Sequence, residues 1–92
     1  MIGYVECECV IYDANSLKAK RAVLQSVITR LKQKFNISVA EVDHQDTWQR
    51  TKLAIVTVSS SRKHSELELN NALKFIDSFP ELDRTVTDFE WL

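Results

Sequence analysis

Four changes of hydrophobic period limit what this chain can fold into. Residues 2–12 alternate, with Val5, Cys7, Cys9 and Ile11 on one side and Tyr4, Glu6, Glu8 and Tyr12 on the other, the period of two of a half-buried strand. From Leu17 to Phe35 the period becomes helical. Leu17, Leu24, Ile28, Leu31 and Phe35 fall within about 40° of one direction at about 100° per residue, with Val27 beside them. Asp13 to Ser16 form the intervening loop, and Ser16 has the side chain of an N-cap. Asn36, which tolerates the left-handed conformation, is expected to close the helix.

The strand-like period then comes twice, over 37–45 and 51–59, joined by a hairpin connection at 45–50. The second run is apolar on both sides through Leu53, Ala54, Ile55, Val56 and Val58, as a central strand requires. The first carries Glu41 and Asp43, which suits an edge. Ser59-Ser60-Ser61 leads into a second helix over about 62–78, with Leu67, Ala72, Leu73, Ile76 and Phe79 as its buried side and Pro80 as its stop. A last strand lies near 84–91. The order is β-α-β-β-α-β, and right-handed crossovers turn it into an α+β ferredoxin-like sandwich. In it, a four-stranded antiparallel sheet carries both helices on one face, with the first and third strands inside.

Ninety-two residues make one domain over 1–92, and a chain of this length buries only about 60–65% of its unfolded surface. One Gly and one Pro leave no linker. Cys7 and Cys9, two apart on one strand face, are spaced awkwardly for a disulfide and read as small core residues. Glu6 and Glu8 interrupt the first apolar run, so it is no signal peptide. No run approaches the ~18 apolar residues of a membrane span. A cytoplasmic protein without membrane contact is expected.

The segment from Val39 to Arg50 holds the densest specific chemistry. Asp43, His44, Gln45, Asp46, Trp48, Gln49 and Arg50 form a candidate functional surface. Asp43, His44 and Asp46 are residue types that hold divalent metals or transfer protons, which leaves a small enzyme or metal-dependent site as an alternative. Against it, Asp43 and His44 as neighbours in a strand point to opposite faces. No metal ligand, cofactor site or catalytic residue is therefore assigned. The plainer reading makes Glu41 and Asp43 guards of the sheet edge and Trp48 a plug at the hairpin end of the core.

Charge is distributed unevenly. The first helix holds Lys18, Lys20, Arg21, Arg30, Lys32 and Lys34, half of the 12 bases and none of the 13 acids. Lys18, Arg21 and Lys32 flank one side of its apolar stripe, and Lys20, Arg30 and Lys34 the other. Lys18, Lys20, Arg21 and Lys32 are the candidate RNA contacts. The plainer reading is a solvated helix whose lysine stems cover the sheet margins. With a net charge of −1 and screening over about 8 Å, only a shape-matched contact would use this surface. Base-specific reading is not expected, because the third strand lacks the aromatic residues with which RNA-recognition motifs of this topology stack bases. The loop at 13–16 also lacks the glycine and arginine of an acylphosphatase. Ser59-Ser60-Ser61 reads as a capped turn and His64 as a surface residue, and no zinc spacing or phosphate loop occurs.

Ser-Leu-Lys-Ala-Lys-Arg at 16–21 and Phe-Asn-Ile-Ser-Val-Ala-Glu-Val-Asp-His-Gln-Asp-Thr-Trp-Gln-Arg at 35–50 resemble the YlxP-like family of small bacterial proteins of unknown function. The resemblance spans essentially the whole chain. It implies a ferredoxin-like fold and, because genes of the family often lie among those for translation initiation and small-subunit maturation, a partner in ribosomal RNA or a ribosome-assembly or translation factor. Ala19 stands where members often have an acid, which leaves this helix purely basic. The alternative binding role is a homodimeric ligand-binding domain using the open sheet face, where Tyr4 and Tyr12 stand.

Overall fold

A computed structural model describes residues 1–92. The elements are β1 (Ile2–Ile11), α1 (Leu17–Lys34), β2 (Ser38–Asp43), β3 (Arg50–Val58), α2 (Arg62–Asp77) and β4 (Leu82–Trp91). The sheet order is β2-β3-β1-β4 with every neighbouring pair antiparallel. This is the ferredoxin-like arrangement that the periods imply, with β1 and β3 inside.

The alternation of β1 becomes two different surfaces. Val5, Cys7, Cys9 and Ile11 are buried under the helices, and Tyr4, Glu6 and Glu8 lie half-buried on the open face. β3 brings Leu53 and Ile55 into the same core, which Val39, Leu24, Val27, Leu31, Leu69, Leu73 and Ile76 complete. Burying each such aliphatic side chain is worth roughly 1.5–3 kcal/mol. Both helices start on a serine: Ser16 Oγ accepts from Ala19 N at 3.0 Å and Ser61 Oγ from His64 N at 3.2 Å. The glycine matters in one place. A Cβ on Gly3 would stand 2.7 Å from Cζ3 of Trp91, so only glycine lets the indole of β4 lie across β1.

Several expectations shift. Phe35, with extended backbone, is the C-cap of α1, its N–H donating to Leu31 O, and Asn36 does not take the left-handed conformation expected of it. The Asn36 N–H is instead taken by the Glu68 carboxylate at 2.7 Å. Leu67 is not on the buried side of α2 but 58% exposed, and Leu69 fills the core. Two residues of phase account for the change, since about 200° separates them on a helix. β2 ends at Asp43, not at residue 45, because His44 takes a positive φ of 62°, which no strand continues through. No helix is long and apolar enough to cross a membrane.

Candidate functional site

The buried stripe of α1 is Lys20, Leu24, Val27 and Leu31. Its centre is rotated by about 40° from the direction set by Leu17, Leu24, Ile28, Leu31 and Phe35, and the rotation brings a lysine into the core. Lys20, expected among the RNA contacts, is 1% exposed and is withdrawn from that set. Its ammonium lies 3.0 Å from Glu41 Oε2 on β2 and donates to the carbonyl of His44. Thr51 of β3 donates to the same Glu41 oxygen at 2.5 Å. A buried charge persists only when paired and hydrogen-bonded, and here the partners come from β2, the hairpin and β3.

His44 is the one non-glycine residue with positive φ, at 62°, in the left-handed region where His is enriched several-fold. That turn aims its carbonyl at Lys20, and Thr47 N–H donates to the same oxygen at 3.1 Å. Its imidazole swings to the open sheet face, where Nε2 meets Glu8 Oε1 at 2.9 Å and Arg50 approaches the same oxygen at 3.5 Å. The hydrogen bond with His44, helped by the charge of Arg50, holds the Glu8 carboxyl below the usual carboxylate range. Asp43 accepts from the backbone N–H of His44 at 2.7 Å. Gln49 closes the neighbouring loop, its amide donating to the carbonyls of Tyr12 at 3.1 Å and Ala14 at 3.3 Å.

The candidate residues of this hairpin therefore divide. Asp43, His44, Gln49 and Arg50 hold the structure together, while Gln45, Asp46 and Trp48 are exposed at its tip. Trp48 does not plug the core: it is 52% exposed, and the buried contact at this end is that of Lys20 with Glu41 and the His44 carbonyl. Asp43, His44 and Asp46 do not converge, and no group of three or more His, Cys, Asp or Glu side chains is placed to hold a metal ion. The two segments that carry the family resemblance, 16–21 and 35–50, meet at Lys20.

The remaining bases of α1 have a different setting. Glu6 is taken by Lys52 at 3.4 Å, Glu8 by His44 and Arg50, and Glu41 by Lys20. Lys18, Arg21, Arg30, Lys32 and Lys34 are all exposed and none has a carboxylate partner. Between them the helix shows Ala22, Ser26 and Thr29, whose small side chains, with Gln25, Arg30 and Gln33, outline a shallow depression of about 480 Å³. Arg30 lies 5.6 Å above the ring of Phe79, and Lys34 4.8 Å above that of Phe75.

On the open face, Tyr4 bonds Glu6 at 2.7 Å and Tyr12 bonds Asp83 at 2.8 Å, so both hydroxyls are engaged within the chain. Ile2 and Val58, register partners at one end of β1 and β3, are exposed there.

Residues 2–89 match the family described as "Protein of unknown function (DUF503)". The chain is 60% identical over 91 residues to "Uncharacterized protein YlxP" of Bacillus subtilis (strain 168), covering 99% of each.

Proposed function

The chain belongs to the DUF503 family of proteins of unknown function, and we propose that it serves there as a cytoplasmic, non-enzymatic, single-domain binding module that docks on ribosomal RNA through the exposed face of α1. The observation that carries the reading is the absence of any acid over Leu17–Lys34, together with the five exposed bases that no carboxylate neutralises. Unpaired like charges on one helix repel one another, and a phosphate backbone relieves that repulsion while releasing counterions. Small side chains between the bases let a backbone approach closely. The choice of ribosomal RNA rests on the genes among which members of the family are found. The tip residues Gln45, Asp46 and Trp48 supply polar and aromatic contacts beside such a surface.

Co-sedimentation with ribosomal subunits across a salt series tests this. Lys18, Arg21 and Lys32 engaging about three phosphates give a log–log salt slope of about −2 to −3. Changing all three to Gln abolishes association and leaves the urea midpoint in place. Association that survives the triple change, or that shows no salt dependence, overturns the reading. Association that resists ribonuclease transfers it to a protein partner.

A further inference from the structure

The end of α1 and the last turns of α2 leave an open groove between them. Lys34 and Phe35 at the end of α1 face Asn71, Lys74, Phe75 and Ser78 of α2 and its cap across a space of about 500 Å³, within the range of small-ligand sites. Its floor is aromatic. Phe35 and Phe75 meet edge to face at 5.8 Å and 71°, and both rings are half-buried, so part of each is presented to the groove. Its rim is basic. Lys34 and Lys74 carry no carboxylate partner, and no acid lines the space.

The Lys34 ammonium rests over Phe75 at 4.8 Å and Phe35 at 5.9 Å. It covers an aromatic surface that has no other lid. Such a contact is weak on an exposed side chain, and Lys34 has the reach to leave it for an anion. The plainer role of Lys34 and Lys74 is to offset the negative ends of their helices. The inner parts of the rings pack against the core and the Ser78 hydroxyl donates to the Phe75 carbonyl, but those roles leave the outer part of each ring and the Asn71 amide unused.

We propose that the groove between the ends of α1 and α2 is a seat for one unstacked nucleotide of single-stranded RNA. The base stacks on the face of Phe75 that Lys34 now covers, with Phe35, set at 71° to that ring, walling its edge; the Asn71 carboxamide meets its polar edge, and Lys34 and Lys74 engage the flanking phosphates. Aromatic stacking with adjacent cations is how single strands are held without strong sequence preference. Arg30, one turn before Lys34, joins this seat to the basic face of α1. The inference rests on the RNA-binding reading above and adds a strand preference to it: unpaired RNA over duplex.

The test is an NMR titration of the protein with hexa-adenylate and, separately, with a blunt RNA duplex of the same net charge. The expected result is a shift of the Phe35 and Phe75 ring protons and the Asn71 side-chain amide with the single strand alone. Phe75→Leu then weakens single-strand binding by about fivefold or more. The Lys34→Gln/Lys74→Gln double variant, which alters only exposed side chains, weakens it and lowers the salt slope by about 1–2. If both RNAs bind equally and shifts stay at the amides of Lys18, Arg21 and Lys32, the seat is wrong and the α1 surface stands. If the groove shifts while the Lys18, Arg21 and Lys32 triple variant binds as tightly as the parent, the seat stands and the α1 surface falls. Binding of neither RNA overturns both.

Discussion

Lys20 and Lys34 stand on one helix, about four turns apart, and the fold uses them in opposite ways. Lys20 is enclosed, with Glu41, the His44 carbonyl and Thr51 arranged around it. Lys34 is exposed, resting on phenyl rings with no carboxylate paired to it. The first is part of how the hairpin is held. The second is a charge available to something else. A count of bases in α1 merges the two, and what separates them is whether β2 supplies a carboxylate.

The largest expected effect breaks the comparison at its buried side. Lys20→Ala leaves the Glu41 carboxylate and the His44 carbonyl without their partner, and removing one member of a buried pair costs about 3–5 kcal/mol. The lower end applies, since Glu41 keeps 18% of its side chain exposed, so a loss of about 3 kcal/mol is expected in urea unfolding. Lys34→Ala is expected to stay within about 0.5 kcal/mol. Equal losses would erase the distinction. Replacing Lys20 and Glu41 together by Met and Leu should recover much of the single-variant loss, since an apolar pair can stand in for a buried ionic one.

A smaller effect tests how the same hairpin is held on the open face. The bond with His44 sets the Glu8 carboxyl below its ordinary value, so folding favours the ionised form. Its contribution is complete above the unfolded value of about 4.3 and is lost as pH falls through the folded value. The urea midpoint of the parent should therefore drop more steeply than that of Glu8→Gln below about pH 4. Parallel acid limbs would mean that the contact carries no net stabilisation.

The smallest effect concerns the hairpin tip. If Lys20 anchors the hairpin from beneath, Trp48→Ala changes the urea midpoint by no more than about 0.5 kcal/mol. A loss of 3 kcal/mol or more, the range for a buried tryptophan, would return Trp48 to the core and remove it from the contact surface.

The fold was legible because period and burial agree wherever one face is apolar. The alternation of Val5, Cys7, Cys9 and Ile11 and the two-sided run of Leu53 to Val58 placed β1 and β3 inside, as found. The phase of α1 was less legible for a physical reason. Lys20, Leu24, Val27 and Leu31 share a helix face, yet a lysine reads as solvent until its partner on another element is known. Glu41 is that partner, 21 residues away, and nothing local announces it. His44 was equally opaque, since its positive φ serves a carbonyl contact and not a turn sequence. The groove at Phe35 and Phe75 has one local mark in the sequence, a phenylalanine next to a lysine near the end of each helix.

Cys7 and Cys9 lie on the innermost part of β1, 0% and 2% exposed, and both are free thiols. The hydrogen bond with Cys7, together with burial, holds the Cys9 thiol well above the ordinary thiol range, while the same bond lowers that of Cys7; what shields both sulfurs is their burial between sheet and helices. An alkylating reagent reaches these sulfurs only when the helices lift from the sheet. The central strand thus carries its own clock: the rate at which its thiols are capped records how often the sandwich opens, and a ligand that bridges α1 and α2 must slow it.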